Sequence, residues 1–148
     1  SLVEQQLPCA SVALRLEQLS RQTEGMDVVA SVDMLEGLKG VPLKLLAYEH
    51  FLLRYPHRAR RTVLLLRGII PDARPDDYRS CRAEVINLVR RINSAVPGAV
   101  QFEEANKLNL RERIALWSVA SVLLATSARD GLNLMPIEFL LCRKSRPG

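Results

Sequence analysis

The sequence predicts an α/β fold, a Rossmann-like parallel sheet with helices on both faces. Short β-branched or leucine-rich runs at 27–32, 61–67 and 122–125 read as buried strands. Segments of helical period separate them, and strands alternating with helices imply right-handed βαβ units. At 148 residues the chain has the length of one domain and can bury a core of its own.

Val12, Leu16 and Leu19 recur at helical spacing, so 8–22 reads as an amphipathic helix leading into the domain. Thr23-Glu-Gly-Met is a break before the first strand. Pro42 sits in the first turn of the next helix, where a missing N–H costs nothing, and Leu45, Leu46, Leu52 and Leu53 carry that helix to Tyr55 and Pro56. Thr62-Val-Leu-Leu-Leu forms a second strand, and 71–77 is rich in turn residues. A long helix from 77 to 95 has Val85, Leu88, Val89 and Ile92 on one face and ends at Pro97-Gly98. Val100-Gln-Phe-Glu is a weak strand. Asn109 and Glu112 have the spacing of a capping box for a helix running to Val119, and 122–125 is the last of four strands.

Composition narrows the function classes. Nearly half the residues are apolar and a quarter charged, which is ordinary for a globular protein. No apolar run approaches the roughly 18 residues needed to span a bilayer. The start, Ser1-Leu-Val-Glu-Gln-Gln, shows no basic-then-apolar signal pattern. Net charge is +5, but acids are scattered among the arginines and only seven aromatics (one Trp, three Tyr, three Phe) are present. A base-stacking surface is therefore not expected, and no nucleic-acid partner. Cys9, Cys81 and Cys142 are odd in number and far apart, which argues for reduced thiols and a cytoplasmic location. No metal-ligand spacing occurs, and His50 and His57 fall on a helix and its exit. Trp117, on a helix face, reads as core.

The segment 129–138, Arg-Asp-Gly-Leu-Asn-Leu-Met-Pro-Ile-Glu, follows an apolar run and opens another. A strand, a Gly-bearing turn and a helix start would place it at the carboxyl edge of a sheet, where open α/β folds bind ligands. Asp130 and Glu138 could accept hydrogen bonds from sugar hydroxyls, and amides around Gly131 and Asn133 could favour anions. The plainer reading is a turn and a helix cap. A second segment, 31–49, also runs from a strand into a helix.

Lys39-Gly40 with Leu-Leu-Ala-Tyr-Glu, then Pro71-Asp-Ala-Arg74, then Arg91-Ile-Asn93, then Arg129-Asp-Gly-Leu-Asn133 with Glu138 form four ordered motifs. Together they resemble the trehalose-6-phosphate synthases, retaining glycosyltransferases of two Rossmann-like domains (the GT-B architecture), over about residues 26–148. The Leu-Met-Pro-Ile-Glu-Phe ending and the Leu-Lys-Leu-Leu-Ala run look most like the synthase-like half of larger proteins in which a phosphatase domain follows. The resemblance implies a donor-binding domain over 26–148, incomplete at its carboxyl end, after a leading helix and linker at 1–25. The amino-terminal domain forming the other wall of the cleft would be missing. A larger assembly is compatible with it.

By the same resemblance, glucose would move from UDP-glucose to glucose 6-phosphate with retention, with no cofactor and no metal. Lys39 would grip the donor diphosphate and, with Asp130, carry catalysis. Asp130, Gly131, Leu132, Asn133 and Leu134 would surround the donor sugar, Glu138 would hold the ribose, and Arg74 would hold the acceptor phosphate. A solvated loop is the alternative for Arg74, and helix-end packing or capping for Arg91 and Asn93. Met34 stands where the family has a second diphosphate-binding cation, Glu36 stands for the following acid, and Gly37 for an aromatic. Methionine offers no charge-assisted hydrogen bond, and losing one from a transition state costs about 10- to 150-fold in rate. A non-catalytic regulatory or structural module is therefore the alternative to an enzyme.

Overall fold

The computed structural model describes residues 10–36 and 40–124. In chain order these form α1 (Ala10–Gln22), β1 (Asp27–Met34), α2 (Val41–Arg54), α3 (Pro56–Ala59), β2 (Thr62–Ile69), α4 (Pro75–Ala95), β3 (Val100–Ala105), α5 (Leu110–Val119) and β4 (Val122–Leu123). The four strands make one parallel sheet in the order β3-β2-β1-β4. The chain winds outward from β1 through β2 to β3, then returns to place β4 on the other side of β1. That reversal is the topological switch point of a doubly wound fold.

The longest pairing runs from Asp27↔Thr62 to Met34↔Ile69, so β1 and β2 end together. β2 is buried along nearly its whole length, which its Val-Leu-Leu-Leu run anticipates for a strand covered on both faces. Leu64 and Leu66 meet α2 and α4 in one core with Leu45, Tyr48, Leu52, Val85 and Ile92. Val63 and Leu65 face the other core, with Val12, Leu19, Ile114, Leu116 and Trp117 of α1 and α5. Trp117 is fully buried, as its helical position suggested. The leading helix α1 is thus half of the second helical layer, packed on α5.

The expected elements recur with shifted ends. The long helix starts at Pro75 rather than 77, because proline is pre-organised for a first helical turn. The weak strand runs on to Ala105, since Glu103 and Glu104 find partners that their charge did not disclose. β4 pairs only at Val122 and Leu123, and Ala125 lies outside the described residues. Pro56 does not simply end α2; it opens the four-residue α3. Asn109 does cap α5, accepting from the Glu112 amide at 2.8 Å. The Glu112 carboxylate, however, takes Arg15 Nε of α1 at 3.0 Å.

Arg91 and Asn93 have the packing roles their helical positions favoured. Arg91 makes a two-pronged contact with Glu49 at 2.7 and 2.8 Å, joining α4 to α2. Asn93 donates to the Val100 carbonyl at 3.0 Å and accepts from its amide at 2.9 Å. These bonds occupy the backbone groups of β3 at the sheet edge, where no further described strand pairs. Asn93→Ala strands both groups, each worth about 1–3 kcal/mol when buried without a partner. The urea midpoint should fall by an amount equal to about 2 kcal/mol with an unchanged slope, and an unchanged midpoint would show that water replaces the side chain freely.

Candidate functional site

Parallel strands place every strand-to-helix connection at one edge of a sheet. Here that carboxyl rim carries Met34, Leu35 and Glu36 beyond β1, Ile70 to Arg74 beyond β2, and Leu124 beyond β4. The chain therefore enters both 37–39 and the segment after Leu124 from the same edge, on either side of the switch point. Lys39, Asp130, Gly131, Leu132, Asn133, Leu134 and Glu138 themselves lie outside the described residues.

The connection after β1 is set by packing. Leu35 turns across the end of β2, donates its amide to the Ile69 carbonyl at 2.9 Å, and is completely buried. Gly68 makes room for it: a Cβ there would stand 2.8–2.9 Å from the Leu35 side chain. The chain re-enters described structure at Gly40, whose φ of 72° suits glycine and turns the backbone into α2. Pro42 occupies that helix's first turn, as its position in the sequence anticipated. Met34 ends β1 and is 37% exposed, so its apolar side chain is at the rim rather than in the core.

Beneath this rim is a buried polar cluster that sequence reasoning missed. Lys44, on α2, reaches Ser31 Oγ at 2.7 Å, Asp33 Oδ2 at 2.8 Å and the Leu124 carbonyl at 3.2 Å. The Ser31 hydroxyl donates to Asp33 at 2.6 Å. The Lys44 side chain is 8% exposed and that of Asp33 1%. Burial pushes the Lys44 ammonium down from its ordinary value, and the Asp33 carboxylate beside it works in the opposite direction. The available signal was period 2: Ser31 and Asp33 point to the same face of β1, toward a lysine one turn into α2.

Arg74 lies on the rim beyond β2 as the N-cap of α4, exposed, with φ 60° and ψ 59°. It is the one described non-glycine residue at positive φ. Among the described residues its side chain has no hydrogen-bond or ion-pair partner. Nearby, Glu104 at the end of β3 accepts from Tyr78 Oη at 2.6 Å and Arg82 Nε at 2.7 Å, fixing the first turns of α4. Among the described residues no three His, Cys, Asp or Glu side chains are grouped to hold a metal ion. A mainly apolar cleft of about 690 Å³ also runs beside α2, lined by Val29, Ala47, Tyr48, Phe51 and Val122. It runs along the face of the sheet under α2, from Asp27 and Thr62 at the amino ends of β1 and β2 to Lys44 and Leu124 at the rim.

The fold agrees with the comparisons. The model of glycosyltransferase family 20 matches residues 2–148. The chain belongs to this family. Alpha,alpha-trehalose-phosphate synthases (UDP-forming) of Yarrowia lipolytica and Candida albicans are each 35% identical over 142 residues. Those matches cover 93% of this chain and 30% of either relative, so the chain spans about a third of their length. The N-terminal domain of Candida albicans trehalose-6-phosphate phosphatase superposes with a TM-score of 0.83 at 26% identity, over 96% of this chain and 31% of that one. An Escherichia coli protein solved with UDP-2-fluoro glucose gives a TM-score of 0.77 at 23% identity, over 87% and 29%, a likeness of fold. The parallel sheet with helices is thus the family-20 α/β fold. No helix among the described residues is long and apolar enough to cross a membrane.

The left-handed backbone at Arg74 costs an arginine about 1 kcal/mol that glycine would not bear. Arg74→Gly should leave the thermal midpoint unchanged or raise it by a few degrees, the greater unfolded-state freedom of glycine offsetting part of the gain. A midpoint lowered by several degrees in a melting scan would contradict a strained, structurally unneeded side chain at this position.

Proposed function

We propose that this chain is the donor-binding domain of a UDP-forming trehalose-phosphate synthase-like protein, which moves glucose from UDP-glucose to glucose 6-phosphate. The observation carrying this reading is that the chain enters both motif segments, at 37–39 and after Leu124, from the carboxyl rim at the β1/β4 switch point. Ligands bind at such a crevice in open α/β folds. The curated relatives named as UDP-forming synthases support the same reaction. In this reading residues 26–148 form the donor domain and 1–25 lead into it. An amino-terminal domain of the same protein completes the cleft, and the protein works in the cytoplasm.

Each residue has a physical task. Lys39, just before the amino end of α2, places a compact cation where helix-start amides already favour negative charge. The leaving UDP gains charge as the glycosidic bond breaks, so a fixed cation there stabilises the transition state more than the ground state. Asp130 with the backbone of Gly131, Leu132, Asn133 and Leu134 holds the donor sugar. Glu138 accepts from the ribose hydroxyls. Arg74, free of described partners on the neighbouring connection, takes the acceptor phosphate.

Met34 supports a second reading, a non-catalytic synthase-like module within a larger protein or assembly. It occupies the rim where a second cation would face the diphosphate, and it brings neither charge nor donor. One experiment on the complete protein separates the readings. In a weakened enzyme, Met34→Arg should raise UDP-glucose turnover by up to about two orders of magnitude, and Lys39→Ala and Glu138→Ala should weaken UDP-glucose binding. In a structural module, turnover stays at background and both alanine variants leave binding unchanged. Tight binding with unimproved turnover would defeat the weakened-enzyme reading.

A further inference from the structure

We infer that Lys44 is a positioning residue: its ammonium clamps the exits of β1 and β4 together and so sets the spacing of the two segments that leave them. The inference deepens the proposed donor site and rests on that reading for its consequence in binding. The clamp itself is carried by geometry among described residues.

An ammonium has three donors and no acceptor. Lys44 directs them to Ser31 Oγ, Asp33 Oδ2 and the Leu124 carbonyl. Two of these acceptors belong to the last half of β1, and the third is the last described residue after β4. Between those strands the backbone ladder is short. Only Val29↔Val122 and Ala30↔Leu123 pair, and the Leu124 amide makes a final bond to the Ala30 carbonyl at 2.9 Å. β1 continues four residues beyond Ala30, to Met34, without β4 beside it. The Leu124 carbonyl meets side chains instead, Lys44 Nζ of α2 at 3.2 Å and the Ser31 hydroxyl of β1 at 3.3 Å, and the same nitrogen holds Asp33, next to Met34. One point on the helix therefore fixes both exits where the ladder no longer does.

A charge pair this deeply buried is not needed to hold α2 on the sheet, since Leu45, Tyr48 and Leu52 already bury that face. What the apolar contacts lack is direction. Leucine packing tolerates small slides, whereas three charge-assisted or polar bonds from one nitrogen specify position.

The test uses the complete protein with Lys44→Met, Asp33→Asn and, as a control in the apolar packing of the same helix, Leu45→Ala. Amide hydrogen exchange and UDP affinity are measured for each. Lys44→Met and Asp33→Asn should raise exchange about tenfold or more at Leu35–Glu36 and Ser121–Leu124 together, leaving β3 and α4 unchanged. UDP affinity should fall about tenfold in both. Leu45→Ala should raise exchange along α2 without raising it at the two exits together. If Lys44→Met does not fold, the near-isosteric Asp33→Asn alone decides the result. Exchange that is unchanged, or raised at only one exit, or raised evenly along the sheet, overturns the clamp. Coupled loosening of both exits in the variants, with no UDP binding by the wild type, would leave the clamp standing and reject the donor-site reading instead.

Discussion

The parallel, in-register pairing of β1 with β2 is the constraint from which the rest of the molecule follows. Eight residue pairs end level at Met34 and Ile69, so two connections must leave from one edge at the same height. Parallel pairing also demands crossover helices, and those helices bury both faces of the two central strands. The return of the chain to the far side of β1 then opens the rim between β1 and β4. A ligand crevice at that place is a consequence of topology before any side chain is considered.

Side chains refine what topology supplies. Gly68 yields the space through which Leu35 crosses β2, so the connection after β1 is shaped by a missing Cβ in the neighbouring strand. Asn93 finishes the outer edge of β3, and Glu104 anchors the start of α4 through Tyr78 and Arg82. On the opposite face Arg67, almost fully buried, donates to the Gln101 carbonyl at 3.1 Å and lies 3.5 Å from Glu103. Burial pushes its guanidinium down from its usual value, and Glu103 opposes that. With Arg15 and Glu112 it joins β2, β3, α1 and α5, which explains how the leading helix is held with the domain.

Much of this fold was legible because apolar periodicity reports burial directly. The Val-Leu-Leu-Leu run of β2, the Pro42 start of α2, the Asn109 cap and the buried Trp117 each follow from one local rule. The ends of α4 and β3 were less legible, because Pro75 continues a turn-rich segment and the glutamates of β3 are stabilised by partners far away in sequence. The Lys44 cluster was hidden for the same reason: its members are separated by up to 93 residues, between Ser31 and Leu124. Of the candidate site, the ordered motifs disclosed the family, and the rim placement of Met34 and Arg74 is visible. Lys39 and 130–138 fall outside the described residues, so their roles rest on the motifs and on where the chain leaves β1 and β4.

The most direct test of the account is a crystal structure of the complete protein with UDP bound. The diphosphate should lie over the amino end of α2, near Gly40 and Val41, between the exits of β1 and β4. Nucleotide density confined to the far end of the cleft beside α2, around Asp27 and Thr62, or lying across α1 and α5, would contradict the claim that the switch-point rim is the ligand site.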